Sequence, residues 1–257
     1  MSESKEIQAL LQEAGIENPA HEARLLCEAF SGEALWEAAR RRATHYPLQY
    51  ILGEWEFWRE RYEVSEDCLI PRPDTEHLVE QAIKHLPRGA KFLDLCTGSG
   101  CVAISVLASR PDTSAVAVDL FEGTLALAAR NAVRNGVGER METRLCDVLG
   151  EPFEGEAVDA ILSNPPYIRK DVIPTLSDEV KHEPFAALCG GEDGLDFYRA
   201  ILQNWRRMLK KEGFFLFEIG YDQAQALCEL GAAHGFFATV FRDYGGNDRV
   251  VLLRPIS

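Results

Sequence analysis

The sequence has no excess of basic residues. It carries 27 Lys and Arg against 41 Asp and Glu, a formal net charge of -14 at pH 7. A protein that grips DNA or RNA neutralises phosphates with a basic stripe, so the composition argues against direct nucleic-acid binding. The one basic cluster is Arg40-Arg41-Arg42, which we expect to be an exposed helix end stabilised by the helix dipole, with docking of an acidic protein partner as the alternative.

The sequence also lacks a charged-then-apolar leader and an apolar run of membrane-spanning length. We therefore expect a cytoplasmic protein with no membrane segment, acting as a monomer. The seven cysteines have no short paired spacing, which disfavours a disulfide framework or a zinc site and predicts free thiols. No metal site is expected. With 257 residues and 46% hydrophobic content, the chain can bury one large domain and a smaller one.

The most informative segment is Asn164-Pro165-Pro166-Tyr167, which follows the apolar run 158–162. Proline fixes φ and has no N–H, so the segment holds one extended shape and offers carbonyl oxygens without competing donors. The Asn164 side chain adds a further acceptor, and Tyr167 an aromatic face. These groups suit a planar NH2 group and predict a methyl-transfer site for an amide nitrogen. A plain turn that closes a strand is the structural alternative.

A second segment, residues 91–108, predicts a nucleotide-type cofactor loop between a short apolar strand and an amphipathic helix. Gly98 and Gly100 allow the backbone to approach a ligand, and the first turn of the helix offers unpaired N–H groups. Asp119 ends the next predicted strand, where a carboxylate can accept both hydroxyls of an adenosine ribose.

The loop alone leaves the cofactor open, because Gly98-x-Gly100-x-x-Ala103 also fits the dinucleotide fingerprint of NAD enzymes. Asp94 lies just before the loop, where it can reach a cationic amino-acid tail. That position, together with the Asn-Pro-Pro-Tyr segment after the fourth strand, favours S-adenosylmethionine over NAD.

Alternating strands and helices in the second part of the chain predict a parallel α/β sheet. Strands are expected at residues 92–95, 115–119, 142–147, 158–164 and 214–218. The runs 239–242 and 249–254 have no helix between them and predict an antiparallel hairpin at one edge of the sheet. Helical spacing dominates the first 50 residues, and the aromatic-rich stretch that follows predicts a β-hairpin.

Four motifs resemble class I S-adenosylmethionine-dependent N-methyltransferases: Asp94-Leu-Cys-Thr-Gly-Ser-Gly100, Asp119, Asp147 and Asn164-Pro-Pro-Tyr167. Nearly the whole chain is similar to the release factor glutamine methyltransferases of the HemK/PrmC family, through segments 56–58, 69–76, 217–220 and 242–249. The resemblance implies a Rossmann-like fold with a mostly parallel seven-stranded sheet and an antiparallel edge hairpin. It also implies methyl transfer to the side-chain amide nitrogen (N5) of the glutamine in the Gly-Gly-Gln motif of class I peptide chain release factors.

The resemblance further implies three parts and a set of site residues. The parts are an N-terminal helical substrate-recognition domain (1–50), a β-hairpin linker (51–72) and the methyltransferase domain (73–257). The catalytic residues would be Asn164, Pro165, Pro166 and Tyr167. The cofactor contacts would be Asp94, Cys96, Thr97, Gly98, Ser99, Gly100, Asp119, Asp147, Val148 and Asn164.

Two of these residues depart from the family pattern. Cys96 replaces the first glycine of the common loop, and Val148 stands where relatives often carry an aromatic residue beside the adenine. Arg72 and Thr75 either close over the methionine end of the cofactor or belong to a salt-bridged interdomain linker. Glu218 either belongs to the site itself or supports the residues that form it.

The same motifs are compatible with three other functions. A nucleic-acid adenine or cytosine N-methyltransferase would use the same pocket for a planar NH2 group, although the acidic charge opposes it. A ribosomal-protein glutamine methyltransferase would share the amide pocket and differ only in its docking surface. A nonenzymatic S-adenosylmethionine-binding module is disfavoured by the intact Asn-Pro-Pro-Tyr segment.

Overall fold

The N-terminal part of the chain is helical. In the computed structural model, which describes residues 3–256, it consists of α1 (Glu3–Glu13), α2 (Pro19–Ala29), α3 (Gly32–Ala43) and the short α4 (Leu48–Leu52). Pro19 opens α2, where its missing N–H costs no hydrogen bond. The helices pack around their own apolar core, which includes Ile7, Leu11, Leu26 and Leu35.

A two-stranded hairpin follows the helices, as predicted. Strands β1 (Glu54–Phe57) and β2 (Glu60–Glu63) pair antiparallel. Tyr62 is fully buried, and its hydroxyl lies 2.7 Å from the Ser105 hydroxyl in the next domain. The hairpin is therefore anchored to helix α6 (Cys101–Ser109), which packs on the main sheet.

Seven strands form the main sheet, in the spatial order β5-β4-β3-β6-β7-β9-β8. They are β3 (Lys91–Leu95), β4 (Ser114–Asp119), β5 (Met141–Leu145), β6 (Val158–Ser163), β7 (Leu209–Glu218), β8 (Phe236–Arg242) and β9 (Asp248–Pro255). The first five run parallel, and β9 lies antiparallel between β7 and β8. The predicted α/β fold with an antiparallel edge hairpin is confirmed.

Some predicted strand ends were wrong by a few residues. β5 ends at Leu145 rather than at Asp147, because the Asp147 carbonyl accepts from the Gly150 N–H (3.0 Å) and turns the chain away from the sheet. β7 begins at Leu209, where its pairing with β6 contains an irregularity in register.

Helices cover both faces of the sheet. They are α5 (Glu76–His85), α6 (Cys101–Ser109), α7 (Glu122–Arg134), α8 (Phe185–Leu188), α9 (Asp196–Asn204) and α10 (Ala224–Ala233). Residues of α5, α6 and α7 form one buried cluster with the sheet, and residues of α9 and α10 form another. Ligands in such sheets bind outside the carboxyl ends of the strands. Within residues 3–256, no helix has the length and hydrophobicity needed to cross a bilayer.

Arg42 is the exception among the three consecutive arginines. Arg40 and Arg41 are exposed, as expected, but Arg42 is buried and pairs with Glu22 and Glu179, each at 2.5 Å. The expectation of a solvated helix end was wrong at this position. A buried cation requires charged partners, and Arg42 finds them in α2 and in the segment after β6. It therefore joins the helical part to the sheet domain.

Candidate active site

A cavity of about 440 Å³ opens at the carboxyl ends of β3, β4 and β6. This volume lies in the range usual for small-molecule sites. Among the predicted site residues, those that line it are Asp94, Cys96, Thr97, Gly98, Ser99, Asp119, Asp147, Val148, Asn164 and Pro166. The fold thus gathers most of the predicted cofactor and acceptor residues around one space.

Asp94 is a buried carboxylate at the end of β3. Its Oδ2 accepts hydrogen bonds from the Thr97 hydroxyl (2.7 Å) and the Ala103 N–H (3.2 Å). Burial raises the pKa of the Asp94 carboxyl to about 7. A cationic group in the cavity would stabilise the ionised form, so the site suits the ammonium end of an amino acid.

The loop between β3 and α6 contains three successive left-handed positions: Cys96 (φ 59°), Gly98 (φ 55°) and Gly100 (φ 82°). A Cβ atom on Gly100 would also lie 3.2 Å from the Cβ and 3.4 Å from the backbone Cα of Ala128, so both its φ and this close approach favour glycine. Gly100 caps α6 and is not itself a lining residue. Cys96 adopts the conformation that favours glycine, which accounts for the glycine in the common pattern.

Ser99 presents a polar atom at the cavity. Its Oγ is buried and has no hydrogen-bond partner within residues 3–256. Buried polar groups in native proteins are normally paired. An unpaired hydroxyl that lines a cavity beside a carboxylate therefore fits a polar ligand there.

Asp119 is fixed at the end of β4 by backbone donors. Its Oδ2 accepts from the Gly98 N–H (3.0 Å), and its Oδ1 accepts from the Phe121 N–H (3.3 Å). Each carboxylate oxygen can accept a second hydrogen bond, so Asp119 can also receive ribose hydroxyls. Burial raises its pKa.

Asp147 and Val148 form the far wall of the cavity. Asp147 is exposed, and its Oδ1 accepts from the Leu149 N–H (2.9 Å). Val148 is buried, and its carbonyl accepts from Trp205 Nε1 (3.0 Å). These two hydrogen bonds hold both residues at the wall of the cavity.

Asn164 lies just beyond the end of β6, with its amide oriented by Thr75. Asn164 Nδ2 donates to Thr75 Oγ1 (3.1 Å), which leaves Asn164 Oδ1 to accept from a ligand. Pro165 and Pro166 are buried, and Pro166 lines the cavity. Tyr167 is not a lining residue; it packs behind the cavity, where burial raises its pKa.

Comparisons with known proteins identify the family of this chain. The methyltransferase small domain model matches residues 74–183. The release factor glutamine methyltransferase of Cereibacter sphaeroides is 44% identical over 224 residues, covering 86% of this chain and 79% of that protein. The protein of the same name from Agrobacterium fabrum is 39% identical over 271 residues, covering 95% and 93%. The chain belongs to the release factor glutamine methyltransferase family.

The fold agrees with this membership. TrmN from Thermus thermophilus superposes with a TM-score of 0.51 at 25% identity, covering 71% of this chain and 48% of that one. As a family member, the chain is a class I methyltransferase that uses S-adenosylmethionine. The predicted family, enzyme class and cofactor are confirmed, and the NAD alternative is excluded.

The sequence analysis did not identify the glycines that pack closely against the Asn-Pro-Pro-Tyr segment. A Cβ atom on Gly190 would lie 2.7 Å from the Pro166 carbonyl oxygen, and one on Gly194 would lie 2.4 Å from the Tyr167 carbonyl oxygen. Gln223 Nε2 donates to that same Tyr167 oxygen (3.0 Å). The signal was a Gly-Gly-x-x-Gly spacing without an apparent strand or helix of its own.

The sequence analysis also did not identify the apolar side chains around the opening of the cavity. Four exposed apolar side chains surround it: Leu120, Phe121, Leu149 and Phe185. Leu120 and Phe121 directly follow Asp119, and Leu149 directly follows Val148. Their positions after strand ends were visible in the sequence, but their exposure was not.

Arg72 and Thr75, for which the sequence analysis expected one of two roles, make different contacts in the structure. Arg72 pairs with the buried Glu183, which also accepts from the Ile70 N–H (2.9 Å). This pair ties the segment before α5 to the segment after β6, and Arg72 also lines the cavity, as Thr75 does. Thr75 instead contacts the Asn-Pro-Pro-Tyr segment through Asn164.

Proposed function

We propose that this chain transfers a methyl group from S-adenosylmethionine to the N5 amide nitrogen of the glutamine in the Gly-Gly-Gln motif of class I peptide chain release factors. The substrate is proposed from the names of relatives whose length the chain largely covers. The observation that carries the chemistry is the Thr75 contact of Asn164, which presents an amide oxygen beside the cofactor loop.

Different residues of the cavity would contact different parts of the cofactor. Asp94 would hold the ammonium end, Asp119 the ribose, and Asp147 with Val148 the adenine. When bound, the cofactor supplies an electrophilic methyl carbon on a sulfonium. The buried Asp94 carboxyl and the unpaired Ser99 hydroxyl both gain partners when a polar, cationic ligand enters.

The acceptor residues orient a poor nucleophile. An amide nitrogen is weakly nucleophilic, because its lone pair is delocalised into the carbonyl. The Asn164 Oδ1 and the Pro165 carbonyl each accept one amide hydrogen and so favour positive charge on that nitrogen as the new bond forms. Holding the reactants in line can lower the barrier by roughly 7–11 kcal/mol. No dedicated base is needed, since the proton becomes acidic on methylation and leaves to water.

Each part of the chain would have its own role in this reaction. The helical residues 1–50 would recognise the release factor, the hairpin 51–72 would link them to the sheet domain, and residues 73–257 would carry the reaction. The chain would act as a monomer in the cytoplasm, without contacting nucleic acid or a membrane. The excess of acidic residues supports the absence of a nucleic-acid contact.

A labelling assay tests the substrate. With S-adenosylmethionine labelled in its methyl group, label should pass to a release factor, and the Gln→Ala variant of its Gly-Gly-Gln motif should receive none. Equal labelling of both proteins would refute the proposal. Label in a ribosomal protein or in DNA, with none in the release factor, would support one of the alternative substrates.

A further inference from the structure

Carboxylates and a single cation line the cavity. Its five acidic lining residues are Asp67, Asp94, Asp119, Asp147 and Asp196. Within the described range 3–256, Arg72 is the only basic residue that lines it. The carboxylates suit the ammonium and sulfonium groups of S-adenosylmethionine, but the same molecule also carries a carboxylate. In a cavity of this charge, that carboxylate is repelled unless a cation accompanies it.

The Arg72 side chain is anchored at one point and keeps free donors. It donates through Nη2 to Glu183 Oε1, and Glu183 Oε2 accepts from the Ile70 N–H (2.9 Å). The Glu183 side chain is 1% exposed, whereas that of Arg72 is 36% exposed. A guanidinium has five N–H donors in a rigid fork. Glu183 is its one hydrogen-bond partner in the described part of the chain, so donors remain for a ligand in the cavity.

Arg72 lies near the strand ends that carry Asp94 and Asn164. The Thr75 N–H donates to the Arg72 carbonyl (3.0 Å), and Thr75 Oγ1 accepts from Asn164 Nδ2 (3.1 Å). Asn164 directly follows β6, which pairs in parallel with β3, and Asp94 lies at the end of β3. A short chain of contacts therefore brings Arg72 to the part of the cavity where the ammonium group would bind.

We propose that Arg72 binds the carboxylate of the methionine tail of S-adenosylmethionine, while Asp94 binds its ammonium group. This inference rests on the proposed function, because it takes Asp94 to hold the ammonium. The two charged groups of the tail share one carbon atom, so their partners must lie close together. A guanidinium fork matches a carboxylate with two parallel hydrogen bonds. Glu183 is then a positioning residue, because its buried carboxylate fixes one end of that fork.

Calorimetry with two ligands tests the inference. S-adenosylmethionine is compared with its decarboxylated form, which keeps the adenosine, sulfonium and ammonium groups and lacks only the carboxylate. The wild type should bind the decarboxylated form about 10- to 100-fold more weakly, because a hydrogen-bonded charge pair is lost. In Arg72→Met this preference should disappear. The variant should bind S-adenosylmethionine weakly and the decarboxylated form as tightly as the wild type does, to within about twofold.

Two further variants distinguish a direct contact from a general effect of charge. Arg169→Met removes an arginine that pairs with Asp171 (3.2 Å) and lies outside the cavity, so it should keep the wild-type preference. Arg72→Lys keeps a charge opposite Glu183 but lacks the fork, so it should keep only part of the preference.

Equal affinity of the wild type for both ligands would overturn the inference. An undiminished preference in Arg72→Met would also overturn it and would assign the carboxylate to other donors, such as the Ser99 hydroxyl. Equal losses for both ligands in that variant would show that Arg72 only supports the cavity wall. If Arg72→Met does not fold, an unchanged preference in Arg72→Lys would refute the contact instead. The titrations contain no methyl acceptor, so failure to methylate a release factor would refute the proposed substrate and not this inference.

Discussion

The proposed cofactor side and the proposed acceptor side of the cavity are held in place by different kinds of contact. On the cofactor side, Asp94 is hydrogen-bonded to Thr97 and Ala103, and Asp119 to Gly98 and Phe121, all within residues 94–121. The acceptor side depends on distant segments. Asn164 is bonded to a residue 89 positions away.

The difference indicates that a substitution can disrupt one side of the cavity and leave the other intact. Backbone N–H groups and left-handed glycines shape the cofactor loop, so most single side-chain changes elsewhere leave it intact. The acceptor side relies on side chains such as Thr75 and Gln223, and on close backbone contacts at Gly190 and Gly194. Changes in those residues should reduce methyl transfer while cofactor binding persists.

Gly194→Ala should separate the two sides by reducing methyl transfer while cofactor binding persists. Its added Cβ would lie 2.4 Å from the Tyr167 carbonyl oxygen, and a shift of about 1 Å in a reacting segment can cost roughly 100-fold in rate. Gly89→Ala is the matched control, because Gly89 has a similar φ (71° against 78°) and nothing within 4 Å of its Cβ position. Normal transfer by Gly194→Ala, or an equal loss in both variants, would contradict the prediction.

Asp119→Asn should affect the opposite side. Loss of the charged acceptor for the ribose hydroxyls should weaken S-adenosylmethionine binding by about 1.5–3 kcal/mol, with a nearly normal rate at saturating cofactor. Asp147→Asn, at an exposed position, should weaken binding less. Calorimetry measures both affinities, and an unchanged affinity in Asp119→Asn would show that this carboxylate does not hold the cofactor.

Cofactor binding should also depend on pH through Asp94. Its pKa is raised to about 7 in the free protein, so below pH 7 the carboxyl must release a proton before it can pair with the ammonium group. Affinity should therefore rise with pH up to about 7, by at most about 1.4 kcal/mol per pH unit, and level off above it. Calorimetry in buffers of different ionisation enthalpy measures the released proton. Asp94→Asn should bind weakly and release none, and an unaltered pH dependence in that variant would assign the proton elsewhere.

Cys96→Gly should have the smallest effect. Glycine relieves a left-handed strain of roughly 1–2 kcal/mol, but it increases the backbone entropy lost on folding by about 0.5–1 kcal/mol. The free energy of unfolding should thus change by less than about 1 kcal/mol, and cofactor affinity should stay constant. Denaturant titration measures the first quantity, and a large destabilisation would mean that the Cys96 side chain is needed for packing.

The same contrast explains which residues around the cavity could be predicted from the sequence. Asp94, Gly98, Gly100 and Asp119 were predictable, because a strand, a turn and a helix in succession place them at one edge of a sheet. Thr75 was left with two alternative roles and Gln223 with none, since their contacts join segments whose distance in space depends on the finished fold. Arg42 was misjudged for the same reason, because its partner Glu179 lies far along the chain.

The most direct test measures the transfer rate and the cofactor affinity of Asn164→Ala in one preparation. Rate is followed as single-turnover methylation of the release factor at saturating cofactor, and affinity by calorimetry. If Asn164 Oδ1 aligns the substrate amide, the rate should fall on the order of 10² to 10³-fold, while affinity changes by no more than about twofold. A folded Asn164→Ala variant with a near-normal rate would contradict the amide-pocket account and reduce the Asn-Pro-Pro-Tyr segment to a turn that closes β6.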